Sequence, residues 1–145
     1  EVPELSVANY SPGGVTPLYD AIGLTLAQID AAATKNDVVI VVVQTDGYEN
    51  ASRTYTQKQI FDKITTRTKL GWTFVFLGSD QDAWGNSQNL GFARGNTISY
   101  VSTDTVHTYS MAAAGTVARA AQAPTADVTS FWAGKTTAVK DGEKA

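Results

Sequence analysis

Apolar and polar positions change period several times along this chain, and each change marks an element. Leu18, Ile22, Leu26 and Ile29 recur at helical spacing, with Ala21 and Thr25 on the same side. Thr16-Pro17 stands just before them. Threonine suits an N-cap and proline the first helical position, so a helix is predicted from there to about residue 33. Residues 38–43, VVIVVV, do not alternate. An unbroken β-branched run of this kind predicts a strand covered on both faces, as in the middle of a parallel sheet. It ends in Gln44-Thr45-Asp46-Gly47. Polar side chains at the carboxyl end of a buried parallel strand stand where open α/β sheets bind ligands.

The pattern then repeats. Thr56 with Gln59 forms a capping-box pair ahead of the stripe Ile60, Phe61 and Ile64, so a second helix is predicted to about residue 69, with Gly71 as its stop. WTFVFL, residues 72–77, predicts a second buried strand with a polar tip at residues 78–82. A short helix over 82–90 ends at Gly91, a third and shorter strand covers 96–101, and an Ala-rich helix runs over about 105–121 behind a cap at 102–104. Before these elements, residues 1–14 read as an extended entry segment with a short strand at residues 5–8. After them, residues 123–145 read as a polar tail, its last ten residues loose, with Phe131-Trp132 its one large apolar pair. The domain proper is thus residues 15–122. Helices alternating with strands imply a layered α/β fold with a mainly parallel sheet and right-handed crossovers.

Composition narrows the function classes. With 145 residues the chain can bury a core as one domain. The formal charge is −3 and no Lys/Arg cluster occurs, which argues against a nucleic-acid partner. No apolar run approaches the length of a membrane span. The chain has no Cys, hence neither disulfides nor thiolate chemistry. It begins Glu1-Val2-Pro3 without an initiator Met, as expected of a processed product or a segment of a longer polypeptide.

In a parallel sheet the strand tips lie on one rim, so the loop over residues 44–49 and the loop over 78–82 should be neighbours. The turn over 13–16 joins them if its helix starts at that end. Thr16, Asp46 and Asp80 or Asp82 then converge, and hydroxyl and carboxylate oxygens suit a hard divalent cation. Each residue also has a local reading: Thr16 as an N-cap, Asp46-Gly47 as a turn pair, Asp80 and Asp82 as caps of the short helix. No P-loop or dinucleotide fingerprint occurs, and spacing singles out no His and carboxylate partners for Ser11, Ser52 or Ser79. His107, the only histidine, falls within a helix. Trp72, Trp84 and Trp132 read as packing residues.

The stretches GGVTPLYDAI at residues 13–22, VVIVVVQTDGYENAS at 38–52 and GWTFVFLGSDQDAWGNSQNLG at 71–91 together resemble the second half of a von Willebrand factor type A domain. The likeness covers residues 12–121 and is nearest to the bacterial and phage branch. It implies a Rossmann-like three-layer sandwich and a metal-ion-dependent adhesion site. Thr16 matches the family's loop Thr and Asp46 its later Asp. The ion implied is Mg²⁺, or Mn²⁺ or Ca²⁺, with a partner's carboxylate completing its shell. Gly47, Tyr48, Glu49, Asp80 and Asp82 would then meet the partner. The chain lacks the family's Asp-x-Ser-x-Ser motif. The first strands of the family pattern are therefore missing, and metal binding depends on ligands supplied from elsewhere.

That absence has a structural counterpart. With strands added on one side only, the run over residues 38–43 keeps a bare edge. Each lost hydrogen bond forfeits roughly 0.5–1.5 kcal/mol and each exposed Val or Ile about 1.5–3 kcal/mol. A cover is therefore expected, either a separate polypeptide such as an N-terminal half or another subunit. Three functions follow. The first is a non-enzymatic protein-binding module acting through the rim at Thr16 and Asp46. The second is a structural or assembly subunit, such as a virion component, using the strand edge. The third, a metal-dependent phosphoryl-transfer enzyme, lacks a recognisable nucleophile or base.

Overall fold

The computed structural model of the protein describes residues 6, 8–9, 13–79, 83–100, 105–123 and 126–132, with the Trp84 side chain excepted. The elements run α1 (Leu18–Ala32), β1 (Ile40–Thr45), α2 (Gln57–Lys69), β2 (Thr73–Ser79), α3 (Ala83–Asn89), a 3₁₀ turn at Arg94–Asn96, β3 (Thr97–Tyr100) and α4 (Thr105–Ala120). Each element predicted within residues 15–122 is present in the predicted order. The proposed cap at 102–104 and the last ten residues lie outside the described residues. So do residues 5 and 7 of the strand expected at 5–8, and Ser6, Ala8 and Asn9 lie in a turn closed by the Asn9 N–H on the Ser6 carbonyl at 3.1 Å.

Local chemistry explains the helix ends. The Gln59 N–H donates to Thr56 Oγ1 at 3.3 Å, and the Thr56 N–H donates back to Gln59 Oε1 at 2.8 Å, a complete capping box. Gly71 and Gly91 take φ of 91° and 87° where α2 and α3 end, a left-handed conformation that costs other residues a Cβ clash. Arg67 then fastens α2 to α1 through Asp30, with Nε to Oδ1 at 2.9 Å, and lies over the Trp72 ring.

The three strands form one parallel sheet in the order β1-β2-β3. This corrects the rank assigned from the sequence. β2, not β1, is the interior strand. Thr73 to Gly78 are all buried, and Phe74, Val75, Phe76 and Leu77 are at most 2% exposed. β1 lies at the sheet edge and is covered mainly on one face. Val39 and Val41 are buried, whereas Val42 is 43% exposed and Gln44 is exposed. A β-branched run specifies extended backbone and apolar packing. It does not specify how many neighbours a strand acquires. Among the described residues, no strand pairs with β1 on its outer side.

Alternation along β2 builds two cores. Phe74 and Phe76 pack with Val39, Val41 of β1, Ile22 and Leu26 of α1, Ile60 and Ile64 of α2, and Leu90 and Phe92. Val75 and Leu77 point the other way, onto Tyr100, Phe131 and Trp132, with Met111 and Ala112 of α4 alongside. Helices thus flank both faces of the sheet, a mixed α/β arrangement compatible with a Rossmann-like layout.

Phe131 and Trp132, assigned from the sequence to a polar tail, are each 5% exposed and belong to the second core. Asn96 holds them there. Its side chain is 1% exposed; Nδ2 donates to the carbonyls of Phe74 at 2.9 Å and Val128 at 2.6 Å, and Oδ1 accepts the Phe131 N–H at 2.8 Å. One amide therefore ties the interior strand to the returning chain. Asn96→Ala would leave two buried carbonyls and one N–H without that partner. It should lower unfolding stability by about 3 kcal/mol in urea denaturation, while Asn89→Ala, on the exposed end of α3, should change it by about 0.5 kcal/mol or less.

Candidate functional site

Strand register places the site. Gln44 pairs with Leu77 and Thr45 with Gly78, while Ser79 pairs with Tyr100, so the three strand tips share one rim. The loop leaving β1 turns sharply there: Thr45 Oγ1 donates to the Gly47 carbonyl at 2.8 Å and accepts the Gly47 N–H at 3.2 Å. Thr16 is clasped against the same loop. Its N–H donates to Asn50 Oδ1 at 2.7 Å, and the Asn50 N–H donates to its carbonyl at 3.1 Å. A Cβ placed on Gly47 would stand 3.1 Å from Thr16 Oγ1, so the two residues face each other closely. The predicted meeting of the loop before α1 with the loop after β1 is therefore present. Asp46 is exposed, and among the described residues its carboxylate enters no hydrogen bond or ion pair. Tyr48 is half exposed beside it. Asp80 and Asp82, the other proposed contributors, lie outside the described residues.

Thr16 does not cap α1. The N-cap position is Pro17, which supplies no side-chain acceptor. The first helical N–H groups are instead satisfied from the loop after β1. Tyr19 N–H donates to Glu49 Oε2 at 2.8 Å and Asp20 N–H to Ser52 Oγ at 3.0 Å. Glu49 also accepts from the Ser52 hydroxyl at 2.7 Å, the Ser52 N–H at 2.6 Å and the Ala51 N–H at 2.8 Å. Asp20 returns the contact: its carboxylate accepts the N–H groups of Arg53, Thr54 and Tyr55 at 2.8–2.9 Å. Glu49, expected at the partner surface, thus has both oxygens committed within the fold.

These bonds set the electrostatics. Burial alone would raise Glu49, but the donors from Ser52, Tyr19 and Ala51 outweigh it and hold the carboxyl below its usual 4.5. Asp20 is held below 3.8, first by the Arg53 N–H and further by Tyr55 and Thr54, against a smaller burial effect. Burial, and then the Glu49 charge, raise the Tyr19 phenol above 10.0. On the opposite side of β1, Gln44 Nε2 donates to the hydroxyls of Tyr100 at 3.1 Å and Tyr109 at 2.8 Å. No sequence spacing predicted that polar cluster, because its members are 56 and 65 positions apart.

The rim is open and shallow. Two depressions reach it. One, of about 20 Å³, is lined by Asp46, Gly47, Ser79 and Asn86; the other, of about 30 Å³, by Tyr19, Tyr48, Glu49 and Leu90. Each has room for a water molecule or an ion, not for a drug-sized substrate. Comparison of the chain with models of protein families, with curated proteins and with solved structures finds no match. What the site can do therefore rests on its own donors. Thr16 Oγ1 and the Asp46 carboxylate are the oxygens that fit a hard cation, and the described residues contain no group of three or more His, Cys, Asp or Glu side chains placed to hold a metal. Among the described residues these are two ligands, and a hard cation takes about six. His107 is exposed on α4, and the Ser52 hydroxyl is spent on Glu49.

Two predictions test the capping cluster. Glu49→Ala should destabilise the fold by about 2 kcal/mol, since it strips α1 and the loop of charge-assisted bonds. For pH, both folded-state pKa values are depressed. The stabilisation from Asp20 and Glu49 is therefore fully present above their unfolded values, near 4, and drains away as pH falls through the lowered folded values. Thermal melts between pH 7 and pH 2.5 should show Tm falling below about pH 4. The fall should be shallower in Asp20→Asn/Glu49→Gln, because that pair no longer loses protonation-linked stability.

Proposed function

We propose that this chain is a non-enzymatic protein-binding module of von Willebrand factor A type, which meets a protein partner at the rim bearing Thr16, Asp46, Gly47 and Tyr48. The observation that carries the reading is the state of Asp46. Its neighbours Glu49 and Asp20 are consumed by the fold, whereas the Asp46 carboxylate stands exposed on the rim, beside the Thr16–Gly47 contact and without an internal partner among the described residues. An acidic group held on a firm scaffold and left uncommitted suits recognition. The depressions of about 20 and 30 Å³ suit an ion or water at a protein contact better than a substrate.

Thr16 and Asp46 supply two oxygens towards Mg²⁺, Mn²⁺ or Ca²⁺, and the remaining ligands come with a segment that carries an Asp-x-Ser-x-Ser strand. The outer edge of β1, unpaired among the described residues, is where such a strand adds, since its tip then arrives beside Asp46. The exposure of Val42 on that edge strand supports a second reading, in which the edge itself is an assembly interface of a structural subunit and no metal takes part.

Calorimetric titration separates the readings. Mg²⁺ or Mn²⁺ added to the chain alone should give only heat of dilution. With a polypeptide carrying the Asp-x-Ser-x-Ser strand present, saturable binding should emerge and vanish in Thr16→Ala or Asp46→Ala. Association that ignores both substitutions and the ion, but is blocked by Val42→Pro, would select the assembly reading instead.

A further inference from the structure

Arg119 is an unusual residue to find in this interior. It sits on α4 with 4% of its surface exposed, against the opposite end of the sheet from the rim. Nε donates to Thr73 Oγ1 at 2.8 Å, Nη1 to the Ala123 carbonyl at 3.3 Å and Nη2 to the Gly71 carbonyl at 3.2 Å. All three acceptors are neutral. A guanidinium has five N–H donors, so each terminal nitrogen keeps one that these bonds do not use. Among the described residues, no carboxylate lies within ion-pair distance of it. Buried arginine is ordinarily paired, because a desolvated charge without a counter-charge is costly.

The same guanidinium lines a cavity of about 300 Å³ between α4 and the returning segment 126–132. That is an order of magnitude larger than either depression at the rim and falls at the small end of ligand sites, about 300–1,000 Å³. Val128 and Phe131 supply apolar wall, with Phe131 lying so close to Gly115 that a Cβ there would stand 2.5 Å from its ring. Thr73 adds a hydroxyl. Asp127, exposed, also borders the cavity, and its carboxylate accepts from Thr129 and Ser130 rather than from Arg119. Fastening α4 to the sheet accounts for the three bonds to neutral oxygens. It accounts for neither the lack of a counter-charge among the described residues nor the open space beside it.

We infer that this cavity is a binding site for a small molecule bearing a carboxylate or phosphate group, with Arg119 as its anion-binding residue. Two coplanar N–H donors on one guanidinium match the paired oxygens of either group. The anionic end lies against Arg119. The rest of the ligand, on the Asp127 side, is neutral or cationic, since a second negative charge there would be repelled.

Nitrogen–proton correlation spectra of the intact chain test this. Sodium acetate and sodium phosphate are titrated separately at constant ionic strength, with sodium chloride as the control. The Arg119 Nε–H and Phe131 amide signals should shift saturably with acetate, marking a carboxylate site, or with phosphate, marking a phosphoryl site, and not with chloride. Ala126→Trp should fill the cavity while leaving Arg119 in place, and should weaken that binding about tenfold or more. Arg119→Gln should abolish it. If Arg119→Gln fails to fold, Ala126→Trp decides alone. Shifts that rise without saturation for both anions, or that are equal in Ala126→Trp and the native chain, overturn the inference.

Discussion

Two carboxylates bind the start of α1 to the loop leaving β1, and the geometry of the rim depends on them. Pro17 cannot cap the helix with a side chain, so its first N–H groups reach Glu49 and Ser52, some thirty positions further on. Asp20 answers by accepting three consecutive N–H groups of that loop. Each partner thus satisfies backbone groups that the other leaves orphaned. The exchange holds Thr16 against Gly47 and leaves Asp46, one residue beyond β1, projecting from a loop that is secured on both sides. A mobile loop would lose that presentation to conformational entropy.

The sheet has an equivalent centre in β2. Its side chains serve two cores at once, with Phe74 and Phe76 on one face and Val75 and Leu77 on the other. The second core is closed by residues far along the chain. Phe131 and Trp132 fold back over it because the Asn96 amide satisfies the backbone of both β2 and the returning segment. A buried amide with all its bonds made fixes the register of such a return, where apolar contact alone would not discriminate between nearby placements.

The two candidate sites lie at opposite ends of the sheet and differ in kind. At the carboxyl end the proposed partner-binding rim is shallow and presents the exposed Asp46. At the amino end the Arg119 cavity lies between α4 and the returning segment, carries a positive charge and has room for a small molecule. One layered scaffold can hold both because each crossover contributes a separate loop to each end of the sheet.

Much of this was legible in the residues. Helical and strand periodicity, the Thr56–Gln59 pair and the glycines at 71 and 91 act over a few positions, so the element order and most helix ends follow from the chain alone. The parallel arrangement follows from alternation, and with it the meeting of Thr16 with the loop at Asp46. Three things did not follow. The run at 38–43 encodes extended backbone but not its one-sided cover, since the elements that bury a strand's faces meet it only in the fold. Thr16 looked like a cap because the competing acceptors, Glu49 and Ser52, are neighbours only after folding. Arg119 sat unnoticed in an Ala-rich helix, and its burial against Thr73 and Gly71 depends on contacts spanning more than forty positions. By itself the sequence determined what each segment becomes, because propensity and capping are local. Only the tertiary structure decided which polar groups are consumed within the fold and which are left over, because a hydrogen-bond partner is defined by distance in space and not along the chain.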